Sequence, residues 1–211
     1  MINKIRTWYK NYKLFQKIGI KDYCQDLFTL FDLVSKDLKE FLDKSKDTKS
    51  PKKLVLVSIE RGGNIPSTFL NYQISKAFKE ELVSNQLQLH FLHIPISTRD
   101  KKSSPNVMTI PKLEREIKSI LKNSPEDVSN SKIYFIDDLL DSGATLQLLH
   151  NTLCRVYWYS AVNYVFCYTK ADPKVIVDSY YLDGDYIPGK HSKIIVAKNL
   201  KTSKWLDFWY D

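Results

Sequence analysis

The chain has 211 residues, a net charge of +8 at pH 7, 43% apolar and 27% charged residues, which is the composition of a soluble globular protein with room for one sizeable core. Its three cysteines (Cys24, Cys154, Cys167) are scattered without metal-ligand spacing, which excludes a disulfide framework and points to a reducing, cytoplasmic compartment. No apolar run approaches about eighteen residues, so no membrane span is expected.

Residues 1–21 carry Lys4, Arg6, Lys10, Lys13, Lys17 and Lys21 without an acid, interleaved with Trp8, Tyr9, Tyr12 and Phe15. This segment reads either as a patch for nucleic acid, a membrane surface or a partner, or as an N-terminal helix packing its aromatic face on the body while its lysines stay in water. The second is the simpler expectation. The segment has no apolar core and no small-residue cleavage site, so no secretory signal is expected.

From Asp22 to Phe41, Leu27, Leu30, Phe31, Val34, Leu38 and Phe41 recur at helical spacing. The polar stretch Asp43–Lys53 reads as a loop. Leu54–Val57 is a strand that runs into Ser58-Ile59-Glu60-Arg61-Gly62-Gly63, and a helix follows with Pro66 in its first turn. Leu87–Ile96 is the next strand. Residues 97–111 form a polar, proline-bounded segment long enough for a lid. A helix over Lys112–Leu121 leads to a further strand and to a helix ending near Val156. Val162–Tyr168 is a buried strand ending at Thr169-Lys170, and the tail alternates short strand-like runs (Val175–Val177, Ile194–Val196) with turns. This alternation predicts an α/β fold with a parallel sheet covered on both faces.

The chemistry centres on Lys132–Leu146, KIYFIDDLLDSGATL. Ile133, Tyr134, Phe135 and Ile136 suit a buried strand of a parallel sheet. Asp137 and Asp138 then fall at its carboxyl end, where open α/β sheets place their ligands. Asp141-Ser142-Gly143-Ala144-Thr145 is a strand-to-helix turn. Gly143 permits conformations that other residues resist. The hydroxyls of Ser142 and Thr145, with the unpaired N–H groups of a helix start, make an anion cradle. Earlier in the chain, Arg61 can grip a phosphate in bidentate fashion, and Gly62 and Gly63 let a ligand approach main-chain N–H groups. Lys170 by itself reads as a solvated strand-end lysine. The closing Trp205-Leu206-Asp207-Phe208-Trp209 reads as core or as a subunit contact. The four histidines show no zinc spacing, and neither a nucleophile–base pair nor a GxxxxGK[ST] loop is present.

Lys132–Leu146 resembles the phosphoribosyl-pyrophosphate (PRPP) signature of the type I phosphoribosyltransferases: apolar strand, two acids, two mostly apolar residues, Asp, then Ser/Thr-Gly-x-Thr. Arg61-Gly62-Gly63 resembles that family's pyrophosphate loop, with Glu60 as a departure. The resemblance implies a single domain over 1–211: an N-terminal segment 1–50, a PRPP-binding core 51–170, and a C-terminal base-binding hood 171–211. Asp137 and Asp138 would then meet the ribose hydroxyls and Mg²⁺, directly or through water. The turn from Asp141 to Thr145 (Ser142, Gly143 and Ala144 between them) would hold the 5′-phosphate, and Asp141 would act as general base. Lys170 would donate to a purine 6-oxo group. Trp205 would stack on the base, with main-chain groups near Leu206 and Asp207 at purine C2, as in the xanthine-guanine members; Phe208-Trp209 stands where those often have Pro-Trp.

The implied partners are PRPP and an oxopurine, in a homodimer or homotetramer. Two alternatives stay open: transfer to orotate, uracil or adenine, or a PRPP-sensing regulator of the same fold that binds nucleic acid through residues 1–21.

Overall fold

The structure, a computed structural model, describes residues 15–44, 50–60, 62–94, 109–121, 125–153, 161–170, 193–202 and 205–208. Five parallel strands make the main sheet: β2 (Lys52–Ile59), β3 (Leu87–Ile94), β4 (Ser131–Leu140), β5 (Val162–Thr169) and β6 (Ile194–Asn199). Its order is β3-β2-β4-β5-β6. β1 (Phe15–Ile18) and β7 (Trp205–Phe208) pair in parallel as a separate two-stranded sheet, Phe15 opposite Trp205 and Ile18 opposite Phe208. The pairing brings the two terminal segments side by side; the resemblance makes one of them, 171–211, a hood.

Both faces of the main sheet are covered, which is why β2 and β5 are buried at every position. Alternation sorts the side chains. Leu54, Leu56, Tyr134 and Ile136 pack under α1 (Ile20–Asp43) and α2 (Asn64–Ala77). Val55, Val57, Ile133 and Phe135 pack against α4 (Thr109–Leu121) and α6 (Ala144–Leu153). Two short helices, α3 (Lys79–Val83) and α5 (Pro125–Ser129), precede β3 and β4. The stripe of α1 that the helical spacing foretold is buried, with Leu30, Val34 and Leu38 at 0% exposure; each such side chain contributes about 1.5–3 kcal/mol. No described helix is long and apolar enough to cross a membrane.

Four expectations change. First, Lys52 and Lys53 are not in a loop. They begin β2 and are buried, because backbone pairing with Leu87 and Ser131 is indifferent to side-chain charge. Lys52 Nζ donates to Asn130 Oδ1 at 3.2 Å and lies 4.7 Å over the Phe41 ring; Lys53 meets Asp127 at 2.5 Å. Second, Phe15–Ile18 is a strand and not part of a basic helix, since pairing with β7 satisfies its backbone; residues 1–14 lie outside the described residues. Third, residues 109–111 of the expected lid already begin α4; residues 97–108 of the lid, and 95–96 of the expected strand beyond Ile94, lie outside the described residues. Fourth, β4 does not end at the acids but continues through them to Leu140, held by β5 with Asp137 opposite Phe166 and Leu140 opposite Thr169.

Candidate active site

The order of the main sheet reverses between β2 and β4: β3 lies on one side of β2, whereas β4, β5 and β6 follow on the other. In open parallel sheets the crevice beyond the strand ends at such a reversal is where ligands bind. The pairing of β2 with β4 stops at Ser58–Ile136, while β4 runs on. Asp137 and Asp138 therefore stand on a strand edge that β2 has left.

The turn after β2 fills that edge, and at Gly63 only glycine fits. A Cβ on Gly63 would sit 2.2 Å from the Ile136 carbonyl oxygen and 2.4 Å from that of Ile59, both immovable backbone. The Gly63 N–H donates to Ile59 O at 2.8 Å, closing the turn into α2. A Cβ on Gly62 would stand 2.2 Å from Asp138 Oδ1, so the glycine loop and the second acid of the signature lie in contact. Asp138 is 5% exposed, whereas Asp137 is half-buried and accepts the Asp138 N–H at 2.9 Å. These contacts separate two outcomes. Gly63→Ala must displace backbone and is expected to cost about 1–3 kcal/mol of stability. Gly62→Ala only has to push the Asp138 carboxylate aside, so its melting temperature should change by much less. Equal melting losses in the two variants would contradict this division.

Beyond Leu140 the chain turns through Asp141-Ser142-Gly143 into α6. Gly143 has φ 79°, the left-handed region where a side chain is strained. Ser142 Oγ accepts the Ala144 N–H at 3.4 Å, and Gly143 O accepts the Gln147 N–H at 2.8 Å, so the helix starts directly after the glycine. Thr145 is half-buried in its first turn. The turn thus sets first-turn N–H groups and two hydroxyl-bearing residues at the positive end of a helix dipole.

Lys170 joins this turn from β5. Its N–H donates to Leu140 O at 3.3 Å, and its Nζ pairs with Asp141 Oδ1 at 3.0 Å. The lysine side chain is 11% exposed and the aspartate 41%. A cation and a carboxylate thus stand side by side at the mouth of the turn. Beneath them, burial and the Asp138 and Asp137 carboxylates push the Cys167 thiol well up, which removes it as a nucleophile.

No family model matches the sequence, and no curated protein matches it. Among solved structures it is similar to the HGPRT-ase of Leishmania tarentolae in complex with GMP, at 14% identity over 82% of this chain and 78% of that one, TM-score 0.41. It is also similar to the hypoxanthine phosphoribosyltransferase of Trypanosoma cruzi in complex with IMP, at 12% identity over 84% and 73%, TM-score 0.37.

Of the residues the phosphoribosyltransferase resemblance selects, Gly62, Gly63, Asp137, Asp138, the Asp141–Thr145 turn and Lys170 converge on the carboxyl end of the sheet around β2, β4 and β5. Arg61 lies outside the described residues. Trp205, Leu206 and Asp207 belong to β7, whose backbone pairs with β1; their side chains lie outside the description. Among the described residues no group of three or more His, Cys, Asp or Glu could hold a metal ion by itself. Asp137 and Asp138 supply two hard oxygen donors at the crevice, which fits a Mg²⁺ that takes most of its ligands from a polyphosphate substrate and water.

Two buried acids, Asp26 and Asp37, escaped the sequence reading. Their signal was present: both fall on the stripe of Leu27, Leu30, Val34 and Leu38, where an acid at helical spacing needs a partner.

Proposed function

We propose that the protein is a Mg²⁺-dependent phosphoribosyltransferase that moves the 5-phosphoribosyl group from PRPP to a 6-oxopurine and releases pyrophosphate, as a nucleotide-salvage enzyme of the cytoplasm working as a homodimer or homotetramer. The observation that carries the choice of base is the Asp141–Lys170 pair, 3.0 Å apart beside the phosphate turn. On a 6-oxopurine the 6-oxo oxygen and N7 lie next to each other on one edge. A lysine donates to the first and a carboxylate accepts from N7–H. An acceptor and a donor already held side by side match that edge in both positions.

The remaining residues divide the work. The turn Asp141–Thr145 binds the 5′-phosphate through helix-start N–H groups and hydroxyls. Asp137 and Asp138 hold the ribose hydroxyls, and their charge favours the oxocarbenium-like sugar that forms as the C1–O bond weakens. Arg61 and the Gly62 N–H receive the departing pyrophosphate, which leaves with the C1–O electron pair, while Gly63, expected from the resemblance to share that role, spends its N–H on Ile59 O and shapes the turn. Asp137 and Asp138 would hold a Mg²⁺, directly or through water, which would supply charge neutralisation for the leaving pyrophosphate. Purine N9 forms the new bond to C1, and the N7 proton passes to Asp141. No covalent enzyme intermediate is required.

Screening hypoxanthine, guanine, xanthine, adenine, orotate and uracil for pyrophosphate release with PRPP and Mg²⁺ tests the assignment. Turnover is expected with 6-oxopurines alone, because the 6-amino group of adenine turns a donor toward Lys170. Release with orotate, uracil or adenine instead, or with no base, overturns it. For the hood, Trp205→Ala should raise KM for the base roughly tenfold, within the range of base–aromatic stacking, and leave PRPP binding intact. A parallel loss of PRPP affinity would make β7 structural.

A further inference from the structure

The two buried carboxylates of α1 grip the sheet at opposite ends. Asp37 meets the amino ends, bonding Lys132 and Tyr134 of β4 and, at 2.5 Å, Lys193 just before β6. Asp26, about three turns earlier on the helix, meets the carboxyl ends. It is 9% exposed; its Oδ2 accepts the Tyr168 hydroxyl at 2.9 Å, and Lys198 Nζ reaches the same oxygen at 3.2 Å. Tyr23, one turn before Asp26, is buried, with its ring 6.0 Å from that of Tyr168. The strand ends held here lead directly to the site. Tyr168 stands two residues before Lys170, and Thr169 O accepts the Leu200 N–H at 2.9 Å.

The same two elements carry the hood. β1 ends at Ile18 and α1 begins at Ile20, while β6 ends at Asn199 and β7 begins at Trp205. A two-stranded sheet is marginal alone, so the position of β1–β7 depends on its roots. Asp26 joins those roots, from α1 to Lys198 on β6. Apolar packing would hold α1 without it. A carboxylate buried in an apolar stripe adds little net stability but fixes one arrangement over its neighbours.

We propose that Asp26 is a positioning residue of the base site: with Tyr168 and Lys198 it latches α1 to β5 and β6 and thereby sets the hood strand β7 relative to Lys170. Its kinetic consequence rests on the purine-transfer reading above; its structural consequence does not.

The test compares Asp26→Asn, Asp26→Glu and Tyr168→Phe with Asp37→Asn, which weakens the other end of α1. Asp26→Asn and Tyr168→Phe are expected to raise KM for the base about tenfold, the size of a hydrogen bond to a charged group. KM for PRPP should stay within about twofold, with part of the base affinity restored in Asp26→Glu. Asp37→Asn should lower Tm without moving the base KM. Hydrogen exchange at the amides of 15–18 and 205–208 should quicken in Asp26→Asn and not in Asp37→Asn. Equal shifts in both KM values, an unchanged base KM, or unchanged exchange in the hood would overturn the latch. If the wild-type chain transfers to no base, the proposed activity falls, and the exchange result alone upholds or overturns the latch.

Discussion

Asp141→Asn is expected to lower turnover by about a hundredfold or more, the usual contribution of a general base, which corresponds to about 2.7 kcal/mol of barrier. The substitution is close to isosteric, and the asparagine oxygen can still accept from Lys170 Nζ, which now stands 3.0 Å from Asp141 Oδ1. In the proposed mechanism, what is lost is the basicity that takes the N7 proton. The Asp141 side chain is 41% exposed, but Lys170 is 11% exposed and exchanges a charged partner for a neutral one, so the change should also cost about 1 kcal/mol of stability. PRPP binding should persist, since the helix-start N–H groups and the Ser142 and Thr145 hydroxyls of the turn remain. Single-turnover kinetics separate the chemical step from binding, and calorimetry gives the PRPP affinity. Unchanged turnover would remove Asp141 from proton transfer and leave it only a partner of Lys170.

The largest effect on stability is expected at Asp37. Its side chain is 6% exposed and bonds two lysines and a tyrosine hydroxyl, Tyr134 Oη at 2.5 Å. Asp37→Ala strands the Lys132 ammonium, whose side chain is 13% exposed, and should cost about 3–5 kcal/mol, as when one partner of a buried pair is removed. Asp37→Ala combined with Lys132→Met should recover part of that loss, because the unpaired charge goes too. Urea unfolding measures both.

The pH dependence of this cluster has a definite sign. Burial resists ionisation of Asp37, but hydrogen bonds from Lys132, Lys193 and Tyr134 outweigh it and hold the carboxyl below its ordinary value of 3.8. A group whose folded pKa is depressed stabilises the fold fully above its unfolded value and loses that contribution as pH falls through the folded one. The stability gap between wild type and Asp37→Ala should therefore be constant from pH 7 down to about 5 and shrink below about 4. A gap that widens in acid would show that Asp37 is not held ionised in the fold.

Much of the site is legible in the chain because its parts are local. An apolar β-branched and aromatic run, two acids, a left-handed glycine and a helix start occupy contiguous positions from Lys132 to Leu146, and each is set by its neighbours in sequence. The Gly62-Gly63 turn is legible for a related reason: nothing larger passes between Ile59, Ile136 and Asp138. Strand–helix alternation likewise announces the parallel sheet.

The rest depends on partners remote in the chain. Lys52 and Lys53 look like loop residues, yet Asn130 and Asp127 bury them. Phe15–Ile18 is strand only because Trp205–Phe208 lies beside it. Asp26 and Asp37 interrupt an apolar stripe for reasons that appear only once Tyr168, Lys198, Lys132 and Lys193 are in place. Asp141 and Lys170, read separately as a turn acid and a strand-end lysine, become one donor–acceptor pair when β5 aligns with β4. The sequence by itself determined the Asp141–Thr145 turn, the glycine loop and the alternation of strands and helices, because backbone conformation and hydrophobic period are local properties. Tertiary structure alone decided which charges are buried and which two meet at 3.0 Å over the turn, because ion pairs and strand partners are chosen by three-dimensional proximity, which no short stretch of chain encodes.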